Sequence, residues 1–253
     1  MIPAAVMQRW VEGTVAAQTR WTETLFSLKV EAAVAAFEAG QFAKLALPVE
    51  DEMIARPYSF VNAPKERPLE FYYVLLPEGP LTPRLAKLQP GDKVYLAPRP
   101  AGFLVLSEVP EGENLWLIST GTGIGPFLSI LNTEAPWRRF RQVVLVHAVR
   151  RAEELTYREC IGRIAAEHAD QMRTVSLVSR ETAAGALAGR IPAAIEEGRL
   201  EAEAGVVLSA KTSQVMICGN PGMVTDTGAA LARRGMKKHR RRDPGHITVE
   251  NYW

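Results

Sequence analysis

At 253 residues, 47% of them hydrophobic and 23% charged, the chain holds enough apolar material for one large or two ordinary buried cores. A net charge of +2 is too small for a general nucleic-acid binder, and no apolar run approaches the roughly 18 residues that span a bilayer. Cys160 and Cys218 are too few to build a disulfide framework or hold an iron–sulfur cluster by themselves, and the start, Met1 to Val11, lacks the pattern of a secretory signal. A reduced, cytoplasmic protein is expected.

The first hundred residues read as β structure. Apolar and polar residues alternate strictly from Phe26 to Glu31, the period of a half-buried strand. Similar runs follow at Phe42 to Leu47, Tyr58 to Val61, Glu70 to Leu76 and Val94 to Ala97, separated by turn signals such as Pro90-Gly91-Asp92. Short strands at this spacing predict an antiparallel barrel or sandwich. One helix interrupts them, with Thr82 as its N-cap and Pro83 in the first turn.

The pattern changes after about Leu106. Leu115 to Ser119, Val143 to Val149, Val175 to Val178 and Val215 to Cys218 are continuous apolar runs, as expected of strands covered on both faces. Helices are predicted at Pro126 to Leu131, Ala152 to His168, Pro192 to Glu197 and Pro221 to Arg233, and a last strand at Ile247 to Tyr252. Strands alternating with helices predict a parallel, doubly wound sheet. The expected domains are therefore 1–106, all β, and 107–253, α/β.

Several stretches could carry chemistry. Arg56-Pro57-Tyr58-Ser59 sets a phosphate-pairing cation, a stacking ring and a hydroxyl in immediate succession. Gly121-Thr122-Gly123-Ile124-Gly125-Pro126 lies between a parallel strand and a helix, where ligands of such sheets bind. A purely structural turn is the alternative. Ser179, Arg180 and Arg190 would suit a ribose 2′-phosphate, or the two arginines would simply pair with Glu181 and Glu196. Cys218-Gly219-Asn220-Pro221 ends the next strand, with Asn220 placed to cap a helix and Cys218 either a small core residue or a substrate contact. His147 has no second metal ligand at a useful spacing and reads as structural, with Arg150 beyond it as a phosphate contact; no metal site is expected. Lys237, Lys238, Arg240, Arg241 and Arg242 form either a solvated turn or a docking patch for an acidic partner, without the recognition helix that nucleic-acid binding would need.

In order, Arg-x-Tyr-Ser, Gly-Thr-Gly-x-Gly-Pro, Ser-Arg-Glu, Cys-Gly-Asn-Pro and a C-terminal aromatic pair resemble the ferredoxin–NADP⁺ reductase family in its bacterial, FAD-containing branch, from about Trp10 to Trp253. The resemblance implies an FAD-carrying β-barrel, then a five-stranded α/β domain for NADP(H). It implies an oxidoreductase passing electrons between NADPH and a ferredoxin or flavodoxin, soluble and monomeric. By it, Arg56 would meet the FAD pyrophosphate, Tyr58 would lie on one flavin face, and Ser59 would reach N5. Phe71, Tyr72, Tyr73 and Val74 would support the cofactor, and Leu81 and Thr82 would present a helix N-terminus to its phosphates.

Thr122 would reach both nucleotides; Gly123, Arg150, Ser179, Arg180 and Arg190 would hold NADPH. Cys218 and Glu250 would approach the nicotinamide, Tyr252 would cover the second flavin face, and Trp253 would stack on the FAD adenine. Reductases of this fold that serve a ferric chelate or an oxygenase are the alternative. Such proteins often carry an appended iron–sulfur or haem domain, for which this chain has neither room nor cysteines. A non-enzymatic protein binding through its basic run is a more distant one.

Overall fold

The computed structural model describes residues 3–251, so the expected roles of Tyr252 and Trp253 lie outside the described residues. The chain divides into two compact units between Phe103 and Leu104. In the first unit, helix α1 (Ala4–Met7) precedes strands β1 (Val11–Arg20), β2 (Leu25–Glu31), β3 (Phe42–Val49), β4 (Glu52–Ser59) and β5 (Leu69–Val74), then helix α2 (Thr82–Leu85) and strand β6 (Lys93–Leu96). The strands pair in the order β4-β3-β6-β1-β2-β5, antiparallel throughout. Just beyond β4 the chain bridges to β5 through Phe60 and Phe71, and Val61 N donates to Glu70 O at 2.9 Å. The sheet therefore closes on itself, which leaves no long edge open.

β1 was not among the expected strands. Its Gly, Ala and Thr residues give no clear alternation, yet Gly13 and Val15 are buried. A Cβ at Gly13 would stand 2.7 Å from Val30 Cγ1 and 3.0 Å from Leu96 Cδ1, so glycine lets β1 lie close over its neighbours. Inside the barrel Leu28, Leu45, Leu69, Leu96, Phe60 and Phe71 are fully buried, and Phe37 stacks on Phe60 with ring centres 3.8 Å apart. The expected cap of α2 is displaced by one residue. Leu81 is the N-cap, and the Thr82 hydroxyl instead accepts from Leu76 N at 2.9 Å and lies 3.2 Å from Leu76 O.

The second unit contains β7 (Asn114–Thr120), α3 (Gly125–Leu131), α4 (Ala135–Arg139), β8 (Gln142–Val149), α5 (Arg158–Glu167), β9 (Met172–Val178) and β10 (Leu187–Ala188). Helices α6 (Ile191–Glu196) and α7 (Arg199–Ala204), strand β11 (Ser213–Gly219), α8 (Pro221–Arg233) and β12 (Ile247–Asn251) complete it. The order β10-β9-β8-β7-β11-β12 is parallel at every pair. The sheet has six strands where five were expected; the addition is β10, whose two residues are too short to register as a sequence pattern. The helix expected over Ala152 to His168 is broken. A short 3₁₀ turn at Ala152–Glu154 comes first, and Tyr157 takes φ 56° before α5 begins.

One face of this sheet buries Trp116, Ile118, Val144, Val146, Val175, Leu177, Val215 and Ile217 against α6, α7 and α8. The other carries Leu115, Leu117, Val143, Leu145 and Met216, also buried. Burial on both faces explains the unbroken apolar runs. Strands β7 and β11 are neighbours, but the chain leaves β7 for β8 and leaves β11 for β12, on opposite sides. Their carboxyl ends thus form a topological switch point, the position at which open α/β sheets take ligands.

Candidate functional site

At the switch point two turns meet backbone to backbone. Gly121–Ile124 forms a 3₁₀ turn that runs directly into α3, and Gly121 has φ +52°. A Cβ on Gly123 would lie 2.4 Å from the Cys218 carbonyl oxygen, and one on Gly219 would lie 2.3 Å from Thr120 Oγ1 and 3.0 Å from Thr120 O. No side chain fits at either place. The same Thr120 hydroxyl accepts from Asn220 N at 3.2 Å, while Asn220 Oδ1 accepts from Gly222 N and Met223 N, capping α8 as expected.

The strand register sets a row of polar residues across the sheet at this level: Ser176, His147, Ser119, Cys218 and Glu250 are successive partners. Ser119 Oγ donates to Val146 O at 2.8 Å, and Cys218 is fully buried. His147, 4% exposed, stands with Nε2 3.2 Å from the Gly121 carbonyl, and burial pulls its pKa down to about 4. Burial pushes the Glu250 carboxyl the other way, up to about 7, and its Oε2 is buried with no hydrogen-bond partner among the described residues. Desolvation keeps both groups neutral through much of the ordinary pH range.

Charge gathers farther out on the same edge. Arg150 and Arg180 follow β8 and β9 and are joined through Arg180 N to Arg150 O at 2.9 Å. Gly189 N bonds Val178 O at 3.0 Å, which brings Arg190 beside them. All three arginines are exposed, as is Ser179, whose hydroxyl lies 3.2 Å from Val149 O. The acids offered by the sequence as their partners are engaged elsewhere: Glu181 with Arg151 and Ala152 N, Glu196 with Arg233. Arg150, Arg180 and Arg190 therefore remain available to an anion. Thr122, at the glycine turn, is buried.

In the barrel unit, Ile54, Arg56, Tyr58 and Phe60 share one face at the end of β4, and Ser59, buried, lies on the other. Tyr58 is half-buried with its ring edge-on to Tyr73, ring centres 6.0 Å apart, and burial raises both phenols well above their usual range. Arg56 is exposed, with Nη1 on its neighbour's carbonyl, Ala55 O, at 2.7 Å, leaving most of its donors free. Phe71 and Tyr73 lie in the barrel core, so they serve a site only as its floor; Tyr72, on the opposite face, is buried as well, and Val74 is half-exposed. Leu81 is buried, and the committed Thr82 hydroxyl leaves only backbone from this turn for a ligand.

Of the five cations near the C-terminus, two are paired: Lys237 with Asp243 and Arg241 with Glu108. Those contacts hold both carboxyls below the usual carboxylate range. Lys238, Arg240 and Arg242 stay exposed on a turn that bridges to β12 at Ile247.

Residues 117–228 match the family model described as an oxidoreductase NAD-binding domain. The chain is 50% identical to the flavodoxin/ferredoxin–NADP reductase of Escherichia coli (strain K12), over 98% of this chain and 100% of the relative. The chain belongs to the flavodoxin/ferredoxin–NADP reductase family. A ferredoxin–NADP reductase of Pseudomonas aeruginosa is 35% identical over 91% of this chain and 92% of its own length. A crystal structure of a Neisseria gonorrhoeae ferredoxin NADP⁺ reductase with bound FAD and NADP superposes with a TM-score of 0.91 at 34% identity, covering 97% of this chain and 99% of that one.

Within this reductase fold several contributors escaped the sequence reading. Gln18 accepts from the Tyr73 hydroxyl at 2.9 Å and donates to Ala86 O and Leu88 O, tying the barrel floor to the chain after α2. Its partners lie 55 to 70 positions away, and no local pattern marks them. Arg139 donates to Leu106 O and Val109 O and so anchors the segment that enters β7. Thr120 was passed over between two better signals, a strand and a glycine run.

Gly123→Ala is expected to lose about 3 kcal/mol of stability, because the new methyl meets backbone that has no rotamer to move; chemical denaturation reads the loss. For His147 the folded pKa lies below the unfolded value, so protons bind preferentially to the unfolded chain. Its contribution is complete above about 6.5 and drains away as the pH falls to about 4, of order 3 kcal/mol in all. In His147→Gln that part of the acid destabilisation should vanish from the denaturation midpoint plotted against pH.

Proposed function

We propose that this protein is an FAD-dependent oxidoreductase that passes electrons between NADPH and a one-electron carrier, a ferredoxin or flavodoxin. The observation that carries the reading is the carboxyl edge of the parallel sheet. There a side-chain-free backbone cradle and a desolvated polar row stand beside three exposed arginines that have no acidic partner among the described residues. Such an edge suits a ligand with an uncharged planar end and a heavily phosphorylated one. The names and printed cofactors of the relatives support the same conclusion.

In this reading the first domain, expected over 1–106, holds FAD and the second, expected over 107–253, holds NADP(H). The donor set at β4 and β5 fits a flavin nucleotide: Arg56 for the pyrophosphate, the Tyr58 ring for one flavin face, Ser59 for the N5 edge, and Tyr72, Val74 and the backbone at Leu81 and Thr82 around them. FAD, when bound, supplies the exchange between a two-electron hydride and single electrons.

The rest is the work of this chain's groups. Thr122 and Gly123 admit the nucleotide to the glycine turn, and Arg150, Ser179, Arg180 and Arg190 hold its phosphates, the 2′-phosphate above all. Cys218 and Glu250 border the nicotinamide. Glu250 Oε2 keeps a proton up to about neutral pH, which leaves that border uncharged while the ring loses its hydride. Lys238, Arg240 and Arg242, with the partly neutralised Lys237 and Arg241, form a docking field for an acidic carrier. The two free cysteines suit the reducing cytoplasm.

A yellow purified protein that bleaches under NADPH without oxygen, and regains its colour when a ferredoxin or flavodoxin is added, is the expected result; a colourless protein would remove the enzyme class. Arg180→Ala should raise KM for NADPH by about one to two decades and leave KM for NADH nearly unchanged, since one charge-assisted bond is worth about that much. Wild-type turnover with a small acceptor should fall as the pH passes about 7, and Glu250→Gln should flatten that limb of the profile.

A further inference from the structure

We infer that His147 is a positioning residue for nucleotide binding, its Nε2–H holding the Gly121 carbonyl so that the following peptide N–H keeps its aim. The inference rests on the glycine turn being the nucleotide turn. Besides its own 3₁₀ hydrogen bonds, three contacts from neighbouring segments restrain that turn. Thr120 is held by Asn220 N, Gly123 is wedged on the Cys218 carbonyl, and Gly121 meets His147. Gly121 is the loosest of the three. It sits at φ +52°, and the space where a side chain would point is open to 4 Å, so no packing steadies it. Beyond the 3₁₀ bond, such a glycine has no side-chain packing to hold its peptide plane.

The planar trans peptide makes the consequence specific. The Gly121 carbonyl and the Thr122 N–H point in opposite directions on one rigid plane, so fixing the oxygen toward β8 fixes the N–H away from it. A carbonyl only accepts. The buried imidazole is neutral and has one N–H, which must therefore be on Nε2 to make the 3.2 Å contact. Ser119, the register partner of His147, is already committed to Val146 O. Loss of the imidazole would leave the Gly121 carbonyl to its 3₁₀ partner alone and the Thr122 N–H less firmly aimed at a phosphate.

Calorimetric titration of NADP⁺ into the flavin-loaded wild type, His147→Gln, His147→Leu and His147→Met tests this. Gln puts an N–H near the place of Nε2, whereas Leu and Met fill the space without a donor. The expected result is about tenfold weaker binding in Leu and Met, and binding within about threefold of wild type in Gln, the size of one buried hydrogen bond. Equal affinity in all four proteins, or a Gln variant as weak as Leu, overturns the inference, because packing alone would then explain the site.

Should Leu and Met fail to fold, the Gln variant and ¹⁵N NMR of the wild-type ring still decide it: the neutral Nε2–H tautomer supports the assignment and the Nδ1–H tautomer refutes it. A wild type with no affinity for NADP⁺ would sink the nucleotide reading and this inference with it, a result distinct from four proteins that bind alike.

Discussion

The second unit depends on one steric condition: the turns after β7 and β11 approach more closely than a methyl group allows. Gly123 lies on the Cys218 carbonyl and Gly219 on Thr120, so each turn supplies the other with backbone instead of side chain. Several features follow from that approach. α3 begins without an intervening loop, and Asn220 reaches both its capping bonds and the Thr120 hydroxyl. A pair of ordinary residues here would push the turns apart and close the crevice with their own side chains.

Around that cradle the electrostatics grade from neutral to positive. Desolvation depresses His147 and raises Glu250, opposite shifts with one cause, and both leave the inner row uncharged near neutral pH. Farther out the arginines stand exposed to water, and the nearby acids Glu154, Glu181 and Glu196 are tied to backbone N–H groups or to other arginines. The two zones would read the two ends of a nicotinamide nucleotide by different physics, the inner one by shape and dryness, the outer one by charge.

Features decided within a few residues were legible in the sequence. The apolar runs of β7, β8, β9 and β11 declared a doubly covered parallel sheet, and Asn220-Pro221 declared a helix start. The relatives' names agree with the family that the ordered motifs suggested. Where the sequence reading failed, the deciding partner was distant or the signal too short. β1 is held by Leu96 and Val30 rather than by its own alternation, and β10 has two residues. Thr82 has the chemistry of a cap, but the Leu76 backbone takes its hydroxyl. Glu181 follows Arg180 in sequence yet pairs with Arg151, a choice made by how the strand ends are set side by side.

The place of β12 carries a consequence for how the molecule comes to be made. Strand β11, buried along its whole length, has β7 on one side and only β12 on the other, and β12 spans residues 247–251. Until those residues dock, an apolar strand in the middle of the folding sheet presents an unpaired edge to its surroundings. That edge invites pairing with another nascent chain.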